Sequence, residues 1–372
     1  KYVNTMLRIL KVLLLHQLAI ASAFTPRPVK SVVRLRGVPA SEQRSSFTYH
    51  DPCQRHSASL KAAGTSITEP ASNKHLSANT TDASQIDSKD IEQDDLLSRI
   101  GSTKIQIGAS ITYLTSAITL AKLNLLGPYT DTLLYRDLGA TVFSTVAAFI
   151  LVKSLTKLST DGIVEARDSR KIIHTLCAPS FLVVWPLFSD VYGARFFAGF
   201  VAGLQGLRLW LAGTRRGGSD GNELAGAISR SGNSKEALGG PFIYTLILFS
   251  SIMLFFTDNL TGVIALSSMA AGDGMADIVG RRFGKNNKWP FSSSKSIAGS
   301  LAFIVFSSLC AIGLGTWLQY TGTISTVYSF GEMTSKIVFI SFASAMVELL
   351  PFGDDNWNVP LAAAALSMLL LP

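Results

Sequence analysis

The sequence predicts an all-α, polytopic membrane protein with about seven to nine transmembrane helices after a disordered amino-terminal presequence. Three observations lead to this fold class. Of the 372 residues, 48% are apolar and only 16% are charged, against roughly 25% charged residues in ordinary soluble domains. From Ile105 onward, apolar segments alternate with short polar ones and lack the polar face of a soluble helix. The basic residues of the connecting segments collect on one side. The three cysteines are too few for a disulfide scaffold.

The first hundred residues have the composition of targeting segments. Residues 1–23 resemble a secretory signal, with a basic start, a short apolar stretch and small residues at the end. Residues 24–60 contain six Arg and Lys, many Ser and only two acids, which is typical of a transit peptide. This pair resembles the bipartite presequence of proteins imported into complex plastids. The plainer alternative is one signal peptide followed by a disordered tail. Residues 61–98 are predicted to be a disordered linker.

Residues 100–372 are predicted to form the membrane domain. Several of its apolar segments are shorter than the roughly 20 residues that a span usually needs, which leaves the count between seven and nine. The predicted spans are 105–126, 139–156, 172–189, 194–213, 241–257, 259–279, 297–317, 336–350 and 360–372.

The loops between these spans give an independent test of the topology. If the spans alternate in direction, four loops emerge on one face of the membrane: 157–171, 214–240, 280–296 and 351–359. They contain thirteen Lys and Arg, whereas the other side has Arg136, with Arg195 and Lys336 at span edges. This asymmetry is the positive-inside signature, and in a plastid membrane the basic face would be the stromal one. It accounts for the net charge of +8, so no nucleic-acid partner is expected, and nothing indicates a protein partner.

A run of polar residues, 271–284, ends the sixth predicted span on this basic face. Asp273 and Asp277 are four residues apart, which places both carboxylates on one side of a helix. Carboxylates inside an apolar segment are costly and are therefore functional candidates. The same run contains Gly272, Gly274, Gly280 and Gly284, followed at once by Arg281 and Arg282, with Lys295 at the start of the next span.

These residue types suit phosphoryl transfer. Acidic side chains bind Mg²⁺, while exposed backbone N–H groups at glycines and basic side chains bind phosphate oxygens. The run contains neither a Walker A loop nor a G-x-G-x-x-G fingerprint. The plain alternative, ordinary helix-end charges, explains one Asp–Arg pair but not the whole run.

Two smaller clusters lie on the same face. Arg170, Lys171 and His174 enter the third span, with the first and last of them four residues apart. Three further metal-capable side chains precede the last span, Asp354, Asp355 and Asn356, although these residue types also form solvated turns. Glu348 lies inside the eighth span and is harder to explain as a surface charge.

Residues 100–372 resemble the phytol/farnesol kinases of plastids. These belong to the polyprenol kinase family, which is similar to dolichol kinases and CTP-dependent diacylglycerol kinases. The long glycine- and aspartate-rich run is the specific part of the match; the Arg-Lys-x-x-His cluster, a Gly-Pro pair, Lys295-Ser296, Glu348 and the Asp-Asp-Asn turn follow in the family's order. One departure is Gly239 before Gly240-Pro241, where the family often has a basic residue.

The resemblance implies transfer of a phosphoryl group from CTP, or another nucleoside triphosphate, to a free isoprenoid alcohol. Phytol would be the main acceptor, with farnesol and geranylgeraniol as further ones, and phytyl phosphate would serve tocopherol synthesis and phytol salvage in a plastid membrane. Mg²⁺ would be the cofactor.

The site residues divide by expected role. The catalytic candidates are Asp273, Asp277 and Lys295. The nucleotide- and phosphate-binding candidates are Gly272, Gly274, Gly280, Arg281, Arg282, Gly284, Arg170, Lys171 and His174. The metal ligands are expected among Asp273, Asp277, Asp354, Asp355 and Asn356, with Glu348 nearby. Which Asp binds metal and which accepts the alcohol proton is open at this point.

Two other function classes share some of these features. A lipid nucleotidyltransferase of the cytidylyltransferase type would use similar Mg²⁺ and phosphate chemistry. A transporter would also have many spans and buried charges, but it would tend to show repeat symmetry between its halves, and no clear repeat is visible here.

Overall fold

The chain folds into a helical assembly, as the sequence predicts. The computed structural model describes residues 86–161, 166–214, 236, 238–325, 328–351 and 354–371, and of these the residues from Asp90 onward form one compact unit. The predicted signal-like and transit-like segments lie outside the described residues. Within that described part there is no β-strand, only an isolated bridge between Lys288 and Ser296.

The helices follow one another with short connections. In chain order the described part contains α1 (Ile86–Lys122), α2 (Asp131–Thr160), α3 (Ala166–Val183), a 3₁₀ turn (Trp185–Leu187), α4 (Ala194–Gly213), α5 (Gly240–Phe255), α6 (Thr261–Ser267), a π-helical turn (Ser268–Asp273), α7 (Gly274–Phe283), α8 (Ile297–Tyr320), α9 (Phe330–Glu348) and α10 (Asp355–Leu370).

Each of the nine predicted spans coincides with helix. Five helical stretches of the described chain are long and apolar enough to cross a membrane: Asp131–Leu158, α4, Thr261–Phe283, α8 and α9. That number is below the seven to nine predicted. The four other predicted spans fall short for physical reasons. Helices α5 and α10 have only sixteen residues each, the first turns of α3 are polar, and the apolar residues of α1 are interspersed with Ser, Thr and Gln.

Helix α1 begins before the predicted membrane domain. The linker predicted over 61–98 therefore ends at Ile86, and its earlier part lies outside the described residues. The segment from Ile86 to Arg99 has no Gly or Pro, and six of its fourteen residues are Leu, Glu, Gln, Lys or Arg, which favour a helix. Its sequence is therefore compatible with the helix that the structure shows.

The stretch Thr261–Phe283 lies at the centre of the bundle. It is the most enclosed of the five, with 83% of its apolar window buried against other helices. A ladder of hydroxyls joins it to α8 and α9, since Ser268 Oγ lies 3.0 Å from Ser307 Oγ, which lies 3.1 Å from Ser341 Oγ. Such small polar residues let helices approach closely inside a membrane. The predicted acidic run is thus held by a rigid interior element.

The basic residues on the opposite face have structural partners. Arg136 donates hydrogen bonds to the carbonyls of Pro186 and Leu187, which close the 3₁₀ turn. Arg195 binds both carboxylate oxygens of Asp258 at 2.9 and 3.0 Å. These contacts join helix ends on that face. The predicted functional residues lie on the other face.

Candidate active site

Asp273 lies where the central helix changes its winding. It is the last residue of the π-helical turn, and such turns occur frequently at functional sites because they redirect side chains. One carboxylate oxygen, Oδ2, lies 2.9 Å from Lys171 Nζ and 3.3 Å from His174 Nε2. His174 Nε2 also lies 2.9 Å from the carbonyl oxygen of Met269. The Arg-Lys-x-x-His cluster and the acidic run, predicted separately, therefore form one group.

The glycines on either side of Asp273 allow neighbouring helices to come close. A Cβ on Gly272 would lie 2.8 Å from the ring of Phe303, and a Cβ on Gly274 would overlap Thr175 Oγ1. Both contacts are closer than ordinary van der Waals contact, so a side chain at either position would require Phe303 or Thr175 to shift. Helix packing therefore explains why these two positions are glycine. Neither residue lines the cavity described below.

Gly280 and Gly284 pack in the same way against the start of α8. A Cβ on Gly280 would lie 3.1 Å from Ser296 Oγ, and one on Gly284 would overlap it. Ser296 caps α8 by accepting a hydrogen bond from the backbone N–H of Gly299 at 3.1 Å. The close approach brings the residue before this cap, Lys295, against the cluster around Asp273.

Lys295 joins two acids from different helices. Its Nζ lies 2.6 Å from Glu348 Oε1 and 2.8 Å from Asp355 Oδ2. Burial lowers the pKa of Lys295, but the negative charge of Glu348 and the hydrogen bonds to both acids raise it more. The net effect is a pKa above the ordinary range, so this ammonium group stays charged at physiological pH.

Three carboxylates meet beside this lysine. One oxygen from each of Asp273, Glu348 and Asp355 lies within 4.8 Å of the other two. They come from the π-helical turn, the end of α9 and the start of α10, so only the tertiary fold brings them together. Clustered carboxylate oxygens fit a hard divalent cation such as Mg²⁺. Two of the three, Asp273 and Asp355, are among the metal ligands predicted from sequence.

The other predicted metal ligands are engaged differently. Asp277 accepts hydrogen bonds from Arg281 one turn further along α7, the shortest pair of atoms lying 2.9 Å apart. Asp354 caps α10 and accepts from the backbone N–H of Asn356 at 2.9 Å and from its Nδ2 at 2.6 Å. Asp354 and Asn356 therefore form the turn that presents Asp355.

Asp168 is a site residue that the sequence reasoning missed. It is 8% exposed, and its two oxygens accept hydrogen bonds from Arg281 Nη1 at 2.8 Å and Arg282 Nη2 at 2.6 Å. Burial raises the pKa of Asp168, but the hydrogen bonds from the two arginines lower it more, to below its usual value. The sequence did offer one indication of this role. Asp168 lies two residues before Arg170, at the start of the same helix that carries the Arg-Lys-x-x-His cluster.

A cavity of about 1140 Å³ opens at this group. Its polar end is lined by most of the predicted residues: Arg170, Lys171, His174, Asp273, Asp277, Gly280, Arg281, Lys295, Glu348, Asp354, Asp355 and Asn356. Four predicted residues do not line it, namely Gly272, Gly274, Arg282 and Gly284. Its other end is apolar and runs between α2, α3, α4 and α5, where it includes Phe181, Val201 and Leu248.

The Gly-Pro entry of α5 also reaches the polar end. Gly239, Gly240 and Pro241 line the cavity, and a Cβ on Gly240 would lie 3.1 Å from a guanidinium nitrogen of Arg170. Further along α5, the Tyr244 ring lies 4.4 Å from the His174 ring, tilted by 50°, and its hydroxyl donates a hydrogen bond to the His174 carbonyl. Tyr244 was not predicted, and it fixes the backbone that carries His174.

Comparison with known proteins bears on what this arrangement does. No family model matches the chain, and no solved structure matches it. Among curated proteins, a probable chloroplastic phytol kinase 1 of Glycine max is 38% identical over 244 residues, which cover 65% of this chain and 79% of the relative. The chain belongs to the phytol kinase family. This confirms the resemblance inferred from its motifs.

Other members of the phytol kinase family give the same result. The chloroplastic phytol kinase 1 of Arabidopsis thaliana is 36% identical over 233 residues, covering 62% of this chain and 75% of the relative. A chloroplastic farnesol kinase of the same plant is 32% identical over 237 residues, covering 63% and 75%.

Proposed function

We propose that this protein transfers the γ-phosphoryl group of a nucleoside triphosphate, with CTP as the expected donor, to the hydroxyl of a free isoprenoid alcohol. The observation that carries the proposal is the single cavity with a charged end and an apolar end. The donor is highly charged and the acceptor dissolves in lipid, so a site that joins them must lie at such a boundary. Membership of the phytol kinase family supports an alcohol kinase, with phytol as the first acceptor to test.

The carboxylates of Asp273, Glu348 and Asp355 would hold a divalent cation, for which we propose Mg²⁺. When bound, the ion would neutralise negative charge on the triphosphate oxygens during transfer. The three residues belong to separate helices, so their side chains are positioned before any ligand arrives. Preorganised charge of this kind lowers a barrier more than charge that must reorient.

The cations of the site would bind the phosphate oxygens. Lys171 and Lys295 contact the same carboxylates that would hold the cation. Both ammonium groups therefore lie beside the proposed cation site, where they would bind phosphate oxygens of the donor. Arg170 and Arg281 line the cavity and would bind phosphate oxygens through two N–H groups at once.

We propose that Asp277 accepts the proton of the acceptor's hydroxyl group. It lines the cavity one helical turn from Asp273 and is outside the carboxylate triangle. Proton transfer occurs late in a loose phosphoryl-transfer reaction, so this carboxylate chiefly orients the hydroxyl. His174 is held by Asp273 and by the Met269 carbonyl, and it would keep Asp273 in place.

One assay separates this function from its competitors. The full chain, purified in detergent, is incubated with phytol, Mg²⁺ and CTP labelled in the γ-phosphate or in the base. Phytyl phosphate with CDP supports the kinase, whereas release of pyrophosphate with base label in the lipid would indicate a nucleotidyltransferase. No reaction with CTP, UTP, ATP or GTP would contradict the proposal and favour a transporter. Farnesol and geranylgeraniol in place of phytol then rank the acceptors.

The proposed product and location follow from the same reasoning. Phytyl phosphate would serve tocopherol synthesis and return phytol released from chlorophyll to metabolism. The chloroplastic relatives and the apolar helices support a plastid membrane, and the presequence composition supports a complex plastid. A fluorescent protein fused to residues 1–100 and expressed in an alga with a complex plastid tests this; retention in the secretory pathway would favour the single signal peptide.

A further inference from the structure

The apolar end of the cavity reaches deep into the helical bundle. We define the apolar limb as the part of the cavity wall lined by Thr145, Val146, Ala148, Phe149, Phe181, Val201, Ala202 and Leu248. Along α3 the wall extends from Lys171 to Phe181, about 15 Å at 1.5 Å per residue. Along α5 it extends from Gly240 to Leu248, about 12 Å. The limb therefore ends near the middle of a hydrocarbon layer roughly 30 Å thick.

Two contacts join α2 to α4 beside this limb. Far from the polar end, Thr141 Oγ1 donates a hydrogen bond to the Phe197 carbonyl at 3.2 Å. Nearer the polar end, the Arg208 guanidinium lies 5.5 Å from the centre of the Phe149 ring, within the range of a cation–π contact. The two contacts are eight residues apart on α2, about 12 Å along the helix. Gln106 of α1 borders the same stretch.

Two residues of α2 that line the apolar limb are also half exposed, Val146 at 51% and Phe149 at 47%. Val142 and Ile150, one helical turn before and after Val146, are exposed as well and do not line the cavity. The outward-facing, apolar side of α2 therefore passes through Val146. This is the side that a bilayer would cover, and at Val146 it meets the cavity wall.

We propose that the acceptor alcohol enters laterally from the bilayer through a gap beside α2, past Val146 and Phe149, and that its isoprenoid tail then occupies the apolar limb. This rests on the proposed function for the identity of the ligand. The hydroxyl would reach the carboxylates at the polar end of the cavity without the alcohol passing through water. The tail would exchange its contacts with lipid for contacts with the protein. The contact between Arg208 and Phe149 borders this gap on the side of the polar end of the cavity.

The gap can be narrowed at a position that is already exposed. In Val146→Trp the indole needs no space in a packed core, so the fold should be kept. Val142→Trp is the matched control, because Val142 lies one turn away on the same apolar face, is 63% exposed and does not line the cavity. We expect Val146→Trp to lower kcat/KM for phytol in lipid nanodiscs at least tenfold. The KM for the nucleotide should be unchanged in Val146→Trp, and every parameter should be unchanged in Val142→Trp.

A binding measurement keeps the two proposals separate. A geranylgeraniol analogue with a diazirine at the tail end is irradiated with the full chain in nanodiscs, and labelled peptides are mapped by mass spectrometry. We expect label on residues 142–152 and 197–208, removed by excess phytol and reduced in Val146→Trp. Label there without turnover of any nucleotide would overturn the proposed kinase and keep the lateral route. Normal turnover in Val146→Trp, with label on α8 or α9, would overturn the route and keep the kinase.

Discussion

Lys171 Nζ lies 2.9 Å from Asp273 Oδ2, although the two residues are 102 positions apart in the chain. One comes from the first turns of α3 and the other from the π-helical turn at the centre of the bundle. Their contact joins a cluster of cations to a cluster of carboxylates at the mouth of one cavity. The predictions below test what each part of this group contributes.

Asp273→Asn should abolish phosphorylation of phytol, by more than a hundredfold in kcat. The amide keeps the volume but removes one of three charges that would hold the cation. Chain insertion should persist, because the residue is replaced by a near-isostere. Turnover is measured with labelled CTP, and Mn²⁺ binding by electron paramagnetic resonance. Glu332→Gln, an exposed acid paired only with Lys336 in the described contacts, is the control. Wild-type turnover by Asp273→Asn would remove the residue from the mechanism.

Asp168→Asn should raise the KM for the nucleotide about tenfold with a smaller change in kcat. The carboxylate holds Arg281 and Arg282 in place, and an amide cannot accept charge-assisted hydrogen bonds from both at full strength. Asp168→Glu should recover part of the affinity. Asp258→Asn breaks a comparable pair with Arg195 on the opposite face and should lower Tm without changing KM. An unchanged KM in Asp168→Asn would contradict the positioning role.

The pH dependence of stability should reveal the same contact. The folded-state pKa of Asp168 is lowered from the ordinary value of 3.8. Its contribution is therefore fully present above pH 3.8 and is lost as the pH falls through the folded-state pKa. We expect the Tm difference between wild type and Asp168→Asn to stay constant from pH 8 to pH 5 and to shrink below 3.8. If the Tm difference already shrinks between pH 8 and pH 6, the pH dependence arises from the titration of another group.

Lys295→Met should lower both stability and turnover. The substitution leaves Glu348, which is 5% exposed, and Asp355 facing each other without their shared cation. Removing one partner of a buried ion pair costs about 3–5 kcal/mol, and this partly exposed lysine should cost less. The double variant Lys295→Met/Glu348→Gln should recover Tm but not activity. Recovery of activity as well would contradict both the proposed phosphate-binding role of Lys295 and the proposed metal-binding role of Glu348.

Gly274→Ala should destabilise the protein by about 1–3 kcal/mol, the usual cost of overpacking. The new Cβ would overlap Thr175 Oγ1 on α3. The double variant Gly274→Ala/Thr175→Ala should recover most of the loss, because it removes the overlapping atom. Gly313→Ala, with nothing within 4 Å of the new Cβ, should be tolerated. Thermal unfolding in detergent measures all three. Loss of nucleotide binding at unchanged Tm would instead favour a phosphate-binding role for Gly274.

The residues that lie close together were only partly predictable. The run 271–284 could be recognised as a site because carboxylates are costly within an apolar segment and because its residue order is specific. Glu348 was singled out for the same reason. Asp168 was missed because an acid at the start of a helix is common and carries no signal alone. Its role becomes visible only when α3 and α7 are packed side by side.

The sequence by itself determined the helical membrane fold, the basic face and the family, because apolar length, charge asymmetry and motif order are local properties of the chain. Only the tertiary structure decided which carboxylates share one site. Asp273, Glu348 and Asp355 come from the π-helical turn, α9 and α10, and the packing of these elements brings them within reach of one ion. Glycines at 272, 274, 280 and 284 let the central helix approach α3 and the start of α8 closely. All four glycines have packing contacts, and of the four only Gly280 also lines the cavity, so phosphate binding by these glycines stays a prediction. Distances between helices depend on every side chain at the interface, and no local pattern encodes them.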